Sequence, residues 1–299
     1  MKMTFKAIAH SWVAPHPSPI GVVEFVGGAL YGLLPTVSYR HFLSCLYKAG
    51  YTIVAMPFPF GFNHEGIARG LLDERQQIRA ELSYPPELPD FWVGHSVGCK
   101  YIALLEAMGA ILDQPSLLLA PDISDMQDAL PFPALATWFD RLSLGIRPNR
   151  AETQAIIRES KLFSLTAVVS FASDDIAGNA SQPGDRSDVA WFIQELSSRV
   201  PSRFAHQELP GGHREPIGVR IGRSLVRPDL KWGMVSPLAQ RQLDSVAIAL
   251  LTALGKPVGQ ENREESSLPD IQNAERLRDL RSTPDASPAS YAEPATRLA

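Results

Sequence analysis

Gly94-His95-Ser96-Val97-Gly98 is a Gly-x-Ser-x-Gly motif, lying between an apolar run that ends at Val93 and a helical pattern that starts at Val97. In that context the serine belongs on a tight, strained turn from strand to helix. Its hydroxyl is projected beyond the carboxyl end of a sheet, and the helix amino terminus is aimed at a reacting carbonyl. A serine hydroxyl is a poor nucleophile near neutral pH, so it needs a neighbouring base, and the base needs an acid to orient it. The chemistry such a group performs is acyl transfer, and a strand-turn-helix serine takes its partners in the chain order serine, carboxylate, histidine.

Two later loops fit that order. The apolar run Ala167 to Phe171 leads into Ala172-Ser173-Asp174-Asp175-Ile176, and Phe204 to Leu209 leads into Pro210-Gly211-Gly212-His213. Both place polar groups at the carboxyl ends of strands, where sheets of this kind hold their sites. His213 is the expected base. Asp174 is favoured as the acid because its spacing to the apolar Ile176 suits the loop after this strand, and Asp175 stays open as its rival; the plainer reading makes both of them turn caps. Two backbone N–H groups should receive the developing oxyanion. Val97 supplies one, and Gly28 or Ala29, in Val26-Gly27-Gly28-Ala29-Leu30, supplies the other. His95 is expected to point away from the chemistry. His64, next to the helix-capping Asn63, reads as a packing or surface residue, His206 as structural, and His10, His16 and His41 have no partners evident in the sequence.

Around these residues short apolar runs alternate with helical segments: strands at Ile20 to Val26, Tyr51 to Met56, Asp90 to Val93 and Ser116 to Leu119, with helices at Tyr39 to Ala49, Glu65 to Leu82 and Val97 to Met108. Continuous hydrophobicity in the strands implies a mostly parallel sheet covered on both faces. From 121 to 163 the rhythm breaks. Prolines and the apolar group Leu130, Phe132, Leu135, Trp138, Phe139 and Leu142 suggest a small helical cap inserted over one edge of the sheet. Strands resume at Leu165 to Phe171 and Arg203 to Leu209, with a helix near Val189 to Ser198 between them and another at Leu238 to Leu254. One domain spanning 1–258 is expected. A tail over 259–299, rich in Glu, Arg, Ser, Pro and Ala, reads as disordered apart from a short helix near Asn273 to Leu280.

The formal net charge of -4 and pI near 6.0 give no electrostatic footprint for nucleic acid. The two cysteines, Cys45 and Cys99, lack metal-ligand or redox spacing, which fits a reducing compartment. No dinucleotide fingerprint, phosphate loop, HExxH or calcium loop occurs, so neither cofactor nor metal is expected. No run reaches membrane-spanning length, which predicts a cytoplasmic chain that has at most transient contact with lipid.

From about Ile20 to Leu254 these residues resemble the α/β-hydrolase superfamily. More narrowly, Phe25-Val26-Gly27-Gly28-Ala29, Tyr39-Arg40, the segment Gly94 to Lys100, the segment Arg147 to Thr153, Ser173-Asp174-Asp175 and Leu209 to His213 look like a domain family of unknown function from cyanobacteria and plastids. That resemblance implies the hydrolase fold and a cytoplasmic or stromal setting, and it implies no substrate. The family usually continues its double aspartate with more acidic residues, whereas Ile176-Ala177-Gly178 follows here. The functional expectation is a serine esterase, lipase-like, acting on small-molecule carboxylic esters with an apolar acyl group; thioesterase or acyltransferase chemistry would use the same residues. The alternative is a catalytically silent member whose pocket binds a lipid, pigment or protein. Oligomeric state is left open.

Overall fold

In the computed structural model, residues 2–85, 87–112, 114–123, 145–199, 204–227, 234–238 and 241–256 are described, and almost all of them fall in the compact unit Met1–Gly255. Residues 124–144 of the expected cap, including Trp138 and Phe139, lie outside the described residues. So does the tail from 259, with its expected short helix.

Strand β3 (Gly21–Val26) is buried at every position, as its unbroken apolar character requires when both faces are covered. Its side chains alternate between two cores. Val23 and Phe25 pack with α2 (Arg40–Lys48), which follows the single turn α1 (Pro35–Ser38), and with α7 (Leu243–Leu254), while Val22 and Val26 pack with α3 (His64–Leu82), α4 (Val97–Ala107), α5 (Arg150–Glu159) and α6 (Asp188–Arg199). The remaining strands of the main sheet are β1 (Lys6–Ile8), β2 (Ser11–Ala14), β4 (Tyr51–Met56), β5 (Asp90–His95), β6 (Ser116–Leu119), β7 (Thr166–Phe171) and β8 (Ala205–Leu209). This eight-stranded sheet runs in the order β1-β2-β4-β3-β5-β6-β7-β8. β2 is antiparallel to both β1 and β4, and every pairing from β4 to β8 is parallel. The carboxyl ends of β3, β5, β7 and β8 therefore share one edge.

Two features escaped the sequence reading. The β1–β2 hairpin is one, and the other is a separate three-stranded antiparallel sheet of β9 (Val219–Ile221), β10 (Ser224–Arg227) and β11 (Met234–Pro237). Strands this short hold too few residues for a periodic signal, although the turn at Gly222 between alternating segments is a hairpin cue. The last helix also starts later than its periodicity suggested, at Leu243 rather than Leu238.

One buried charge cluster braces β3 against α3. Glu24 is fully buried, with Arg75 Nε 3.4 Å from its carboxylate; Arg75 also pairs with Asp90, and Arg79 reaches Asp90 at 3.1 Å. Burial, reinforced by the Asp90 charge, pushes the Glu24 carboxyl from 4.5 up to about 8 against the pull of the two arginines. The folded state thus holds a proton that the unfolded chain has released. The contribution of this group to stability is complete below about pH 4.5, declines as pH rises, and is gone once the pH has passed about 8. Glu24→Gln should remove that slope. Thermal melts from pH 5 to 9 should show the variant gaining on the wild type until about pH 8 and then running level, and parallel profiles would contradict the assignment.

Candidate active site

Ser96 lies directly after β5 with φ 56° and ψ -127°, a backbone conformation rare for a residue with a side chain. Its surroundings hold it there. Ser96 N–H donates to Leu119 C=O, extending the ladder to β6, and Ser96 C=O accepts from Cys99 N–H. Gly98 is required by space, because a Cβ there would sit 2.2 Å from Val26 O.

The loop after β7 presents the two aspartates very differently. Asp174 is 2% exposed, whereas Asp175 faces solvent. Asp174 Oδ1 accepts the backbone N–H groups of Ile176 and Ala177 at 2.9 and 3.0 Å, so this carboxylate is also the turn cap that the plainer reading proposed. Its second oxygen, Oδ2, lies 2.9 Å from His213 Nδ1. The loop after β8 reaches this point because Gly211, at φ +113°, turns the chain where a side chain would be strained and would strike Glu215. The two loops are joined by Ser173 N–H donating to Gly211 C=O at 2.8 Å.

His213 Nε2 completes the array at 2.9 Å from Ser96 Oγ. Ser96, Asp174 and His213 are all buried, and three loops far apart in sequence are thereby brought together. A carboxylate can only accept, so Nδ1 carries the hydrogen towards Asp174, and in the neutral ring the Nε2 lone pair faces the serine hydroxyl.

The expected oxyanion donors divide. Val97 N, at the first turn of α4, has no backbone or side-chain acceptor among the described residues, and the same holds for Ala29 N. Gly28 N–H is committed instead to the Tyr39 hydroxyl at 2.7 Å. Of the two alternatives left open by the sequence, the structure therefore leaves Ala29 N–H available.

His95, expected to point away from the chemistry, makes no hydrogen bond to the Ser96 hydroxyl among the described residues. Nor is it remote: Nε2 lies 2.8 Å from His213 C=O and Nδ1 lies 2.8 Å from the Tyr39 hydroxyl. Burial and the nearby His213 hold its basicity well below the ordinary histidine value. His64 is a packing residue, buried against Tyr101, and burial together with the Lys100 charge lowers it to about 3. His206 meets Ser170 across β7 and β8 at 2.8 Å.

The segment Arg147 to Thr153 proves to be an anchor for the chain returning from the region expected as a cap. Asn149 and Glu152 form a reciprocal capping box at the start of α5. The buried Lys100 of α4 donates to Pro148 C=O at 2.8 Å, so the elbow helix itself holds this stem. Arg150 pairs with Asp188 at 2.6 Å, and Asp188 also accepts Ile123 N–H at 2.7 Å. One buried carboxylate thus ties the outgoing and returning ends of 124–149. Glu152 acts through the helix cap and an ion pair with Arg147.

Among the described residues, one group of metal-ligand types clusters: His41, Cys45 and Asp244 have ligand atoms within 4.8 Å of one another. His41 therefore does have a partner, with its Nε2 3.1 Å from Asp244. Arg241 Nε donates to the same Asp244 oxygen at 2.8 Å. The carboxylate already has a cationic partner, and burial raises the Cys45 thiol to about 11, against its service as a thiolate ligand.

A family model described as a protein of unknown function, DUF1350, matches residues 4–237. The chain belongs to this family. No curated protein matches the DUF1350 chain. Among solved structures, it is similar to TT1662 from Thermus thermophilus, at 15% identity and a TM-score of 0.52 over 86% of this chain and 100% of that one. It is also similar to the Pyrococcus furiosus esterase PF2001, at 12% identity and a TM-score of 0.56, covering 85% and 92% of the two chains. Carboxyl esterase 2 from Tuber melanosporum matches at 13% identity and a TM-score of 0.50, covering 72% and 78%. At such identities the likeness establishes the fold alone, and this DUF1350 member has the α/β-hydrolase fold. Among its described residues no helix is long and apolar enough to cross a membrane.

Proposed function

We propose that this DUF1350 protein is a serine hydrolase acting on small-molecule carboxylic esters. The observation that carries the reading is the hydrogen-bonded array of Ser96, His213 and Asp174, with both links at 2.9 Å. Separations in this range are what a nucleophile and its general base need. Ser96 Oγ attacks the ester carbonyl carbon while His213 Nε2 takes the hydroxyl proton. The tetrahedral oxyanion is received by the N–H groups of Val97 and Ala29. Its collapse breaks the bond to the alkoxide, which leaves with the proton from His213. Water then attacks the acyl-serine, giving its proton to His213, and collapse returns that proton to Ser96 Oγ as the acid is released. Asp174 keeps the imidazole in the required tautomer throughout.

An apolar acyl group is favoured by the segment that continues from Ala29. Leu30, Leu33 and Leu34 expose 53%, 43% and 63% of their surface, and Ile176, beside Asp174, exposes 43%. Apolar side chains on the loops that bear the site supply contact area for a hydrocarbon chain and little for a charged one. The esterase named among the similar structures is consistent with this reading.

An active-site-directed fluorophosphonate, with the label located by mass spectrometry, tests the proposal. A single adduct on Ser96 is expected. A correctly folded protein that takes up no label would end the reading and favour a binding protein that retains the fold.

A further inference from the structure

The hydrogen bonds around His95 form one continuous path between the two halves of the site. At one end, His213 C=O can only accept, so His95 Nε2 must carry the hydrogen that lies between them at 2.8 Å. Burial keeps the ring neutral, which leaves Nδ1 as an acceptor. The Tyr39 hydroxyl, 2.8 Å away, must therefore donate to it. That hydroxyl is in turn the acceptor for Gly28 N–H at 2.7 Å. Tyr39 is fully buried, and burial raises its phenol above the ordinary value, so the proton stays on the oxygen. Every donor in the path has one acceptor and every direction is determined. Reversing any one bond leaves a buried polar group without a partner.

We infer that Tyr39 and His95 are positioning residues that lock the oxyanion loop at Gly28-Ala29 and the base loop at His213 into one register. Neither touches the reacting atoms. Tyr39 fixes the peptide that precedes the Ala29 N–H, and His95 fixes the main chain of the residue whose side chain is the base. The role rests on the hydrolase reading of the site, because only there do both loops serve one transition state. Edge contacts between the Tyr39 and His95 rings, with centroids 5.6 Å apart, and a centroid distance of 5.0 Å between His95 and His213 show how little slack the arrangement has. Misplacement of a catalytic group by about 1 Å costs on the order of 100-fold in rate, so a loosened register should appear in kcat rather than KM.

The test uses Tyr39→Phe, which keeps the ring and removes the hydroxyl, and two histidine replacements that cut the path at different bonds. His95→Gln retains an amide donor near the Nε2 position, and His95→Asn retains an acceptor near the Nδ1 position. In the full chain, backbone hydrogen exchange of Tyr39→Phe should accelerate about tenfold at Gly28 and also across 211–215, a segment to which the lost hydroxyl makes no hydrogen bond. For ester hydrolysis, Tyr39→Phe should lower kcat about 10- to 100-fold with KM within about twofold. His95→Asn should lower kcat as well, and combining it with Tyr39→Phe should cost far less than the product of the two single losses, as expected for residues on one path. His95→Gln, which like Tyr39→Phe breaks the bond between the two residues while keeping a donor to His213 C=O, should accelerate exchange across 211–215 as Tyr39→Phe does. Acceleration confined to Gly28 in Tyr39→Phe, or additive losses in the double variant, would overturn the inference. Exchange reads the register without turnover, so absence of hydrolysis in the wild type would count against the proposed function and leave the coupling to be decided by exchange alone.

Discussion

Replacing Ser96 with alanine is expected to lower kcat/KM for short and medium p-nitrophenyl esters by about 10^4- to 10^6-fold, to the level of a folded protein without a nucleophile. The change is small structurally. Alanine keeps the Cβ, so the turn at φ 56° is no more strained than before, and the elbow still rests on its bonds to Leu119 and Cys99. What disappears is one hydroxyl facing His213 Nε2. The thermal midpoint should therefore move little while turnover vanishes. Retained turnover in a purified Ser96→Ala protein would show that the hydrolysis belongs to another group.

The second large effect separates two neighbouring carboxylates. Asp174→Asn should reduce kcat by about 10^4-fold, whereas Asp175→Asn should stay within about twofold, because Asp175 is exposed and surface changes of this kind cost little. The large loss has a specific cause. Asp174 Oδ1 accepts two backbone N–H groups, from Ile176 and Ala177. An asparagine oxygen would keep that place, turning its NH2 towards His213 Nδ1. The imidazole would then have to accept at Nδ1 and carry its hydrogen on Nε2, facing the Ser96 hydroxyl with a donor where a base is needed. Steady-state kinetics on both variants checks this. Equal losses, or a larger loss for Asp175→Asn, would transfer the role to Asp175.

Much of the architecture was legible because fully buried strands show as unbroken apolar runs and their helices carry a periodic signal. β4 and β6 fall on the residues that their apolar runs delimit, and α3 begins beside the Asn63 cap that the sequence marked. The β1–β2 hairpin and the β9–β11 sheet were missed because their short strands are partly exposed and lack the unbroken apolar run that marks the equally short β6. The Arg147 to Thr153 segment was visible as a motif but not as an anchor, since its meaning lies in Lys100 and Asp188, which belong to other elements.

The amino-acid sequence by itself determined which residue types stand at the ends of which strands: a serine between glycines after β5, carboxylates after β7 and a histidine after β8. Local propensity and hydrophobic alternation are short-range properties, and they suffice for that. Only the tertiary structure set Asp174 rather than Asp175 against His213, committed Gly28 N–H to the Tyr39 hydroxyl and brought His95 against the base loop. Each of these depends on where a donor or acceptor from a distant segment points once both are buried, when an unmade hydrogen bond becomes costly. That constraint comes into being with the packed core and has no counterpart in the linear order of residues.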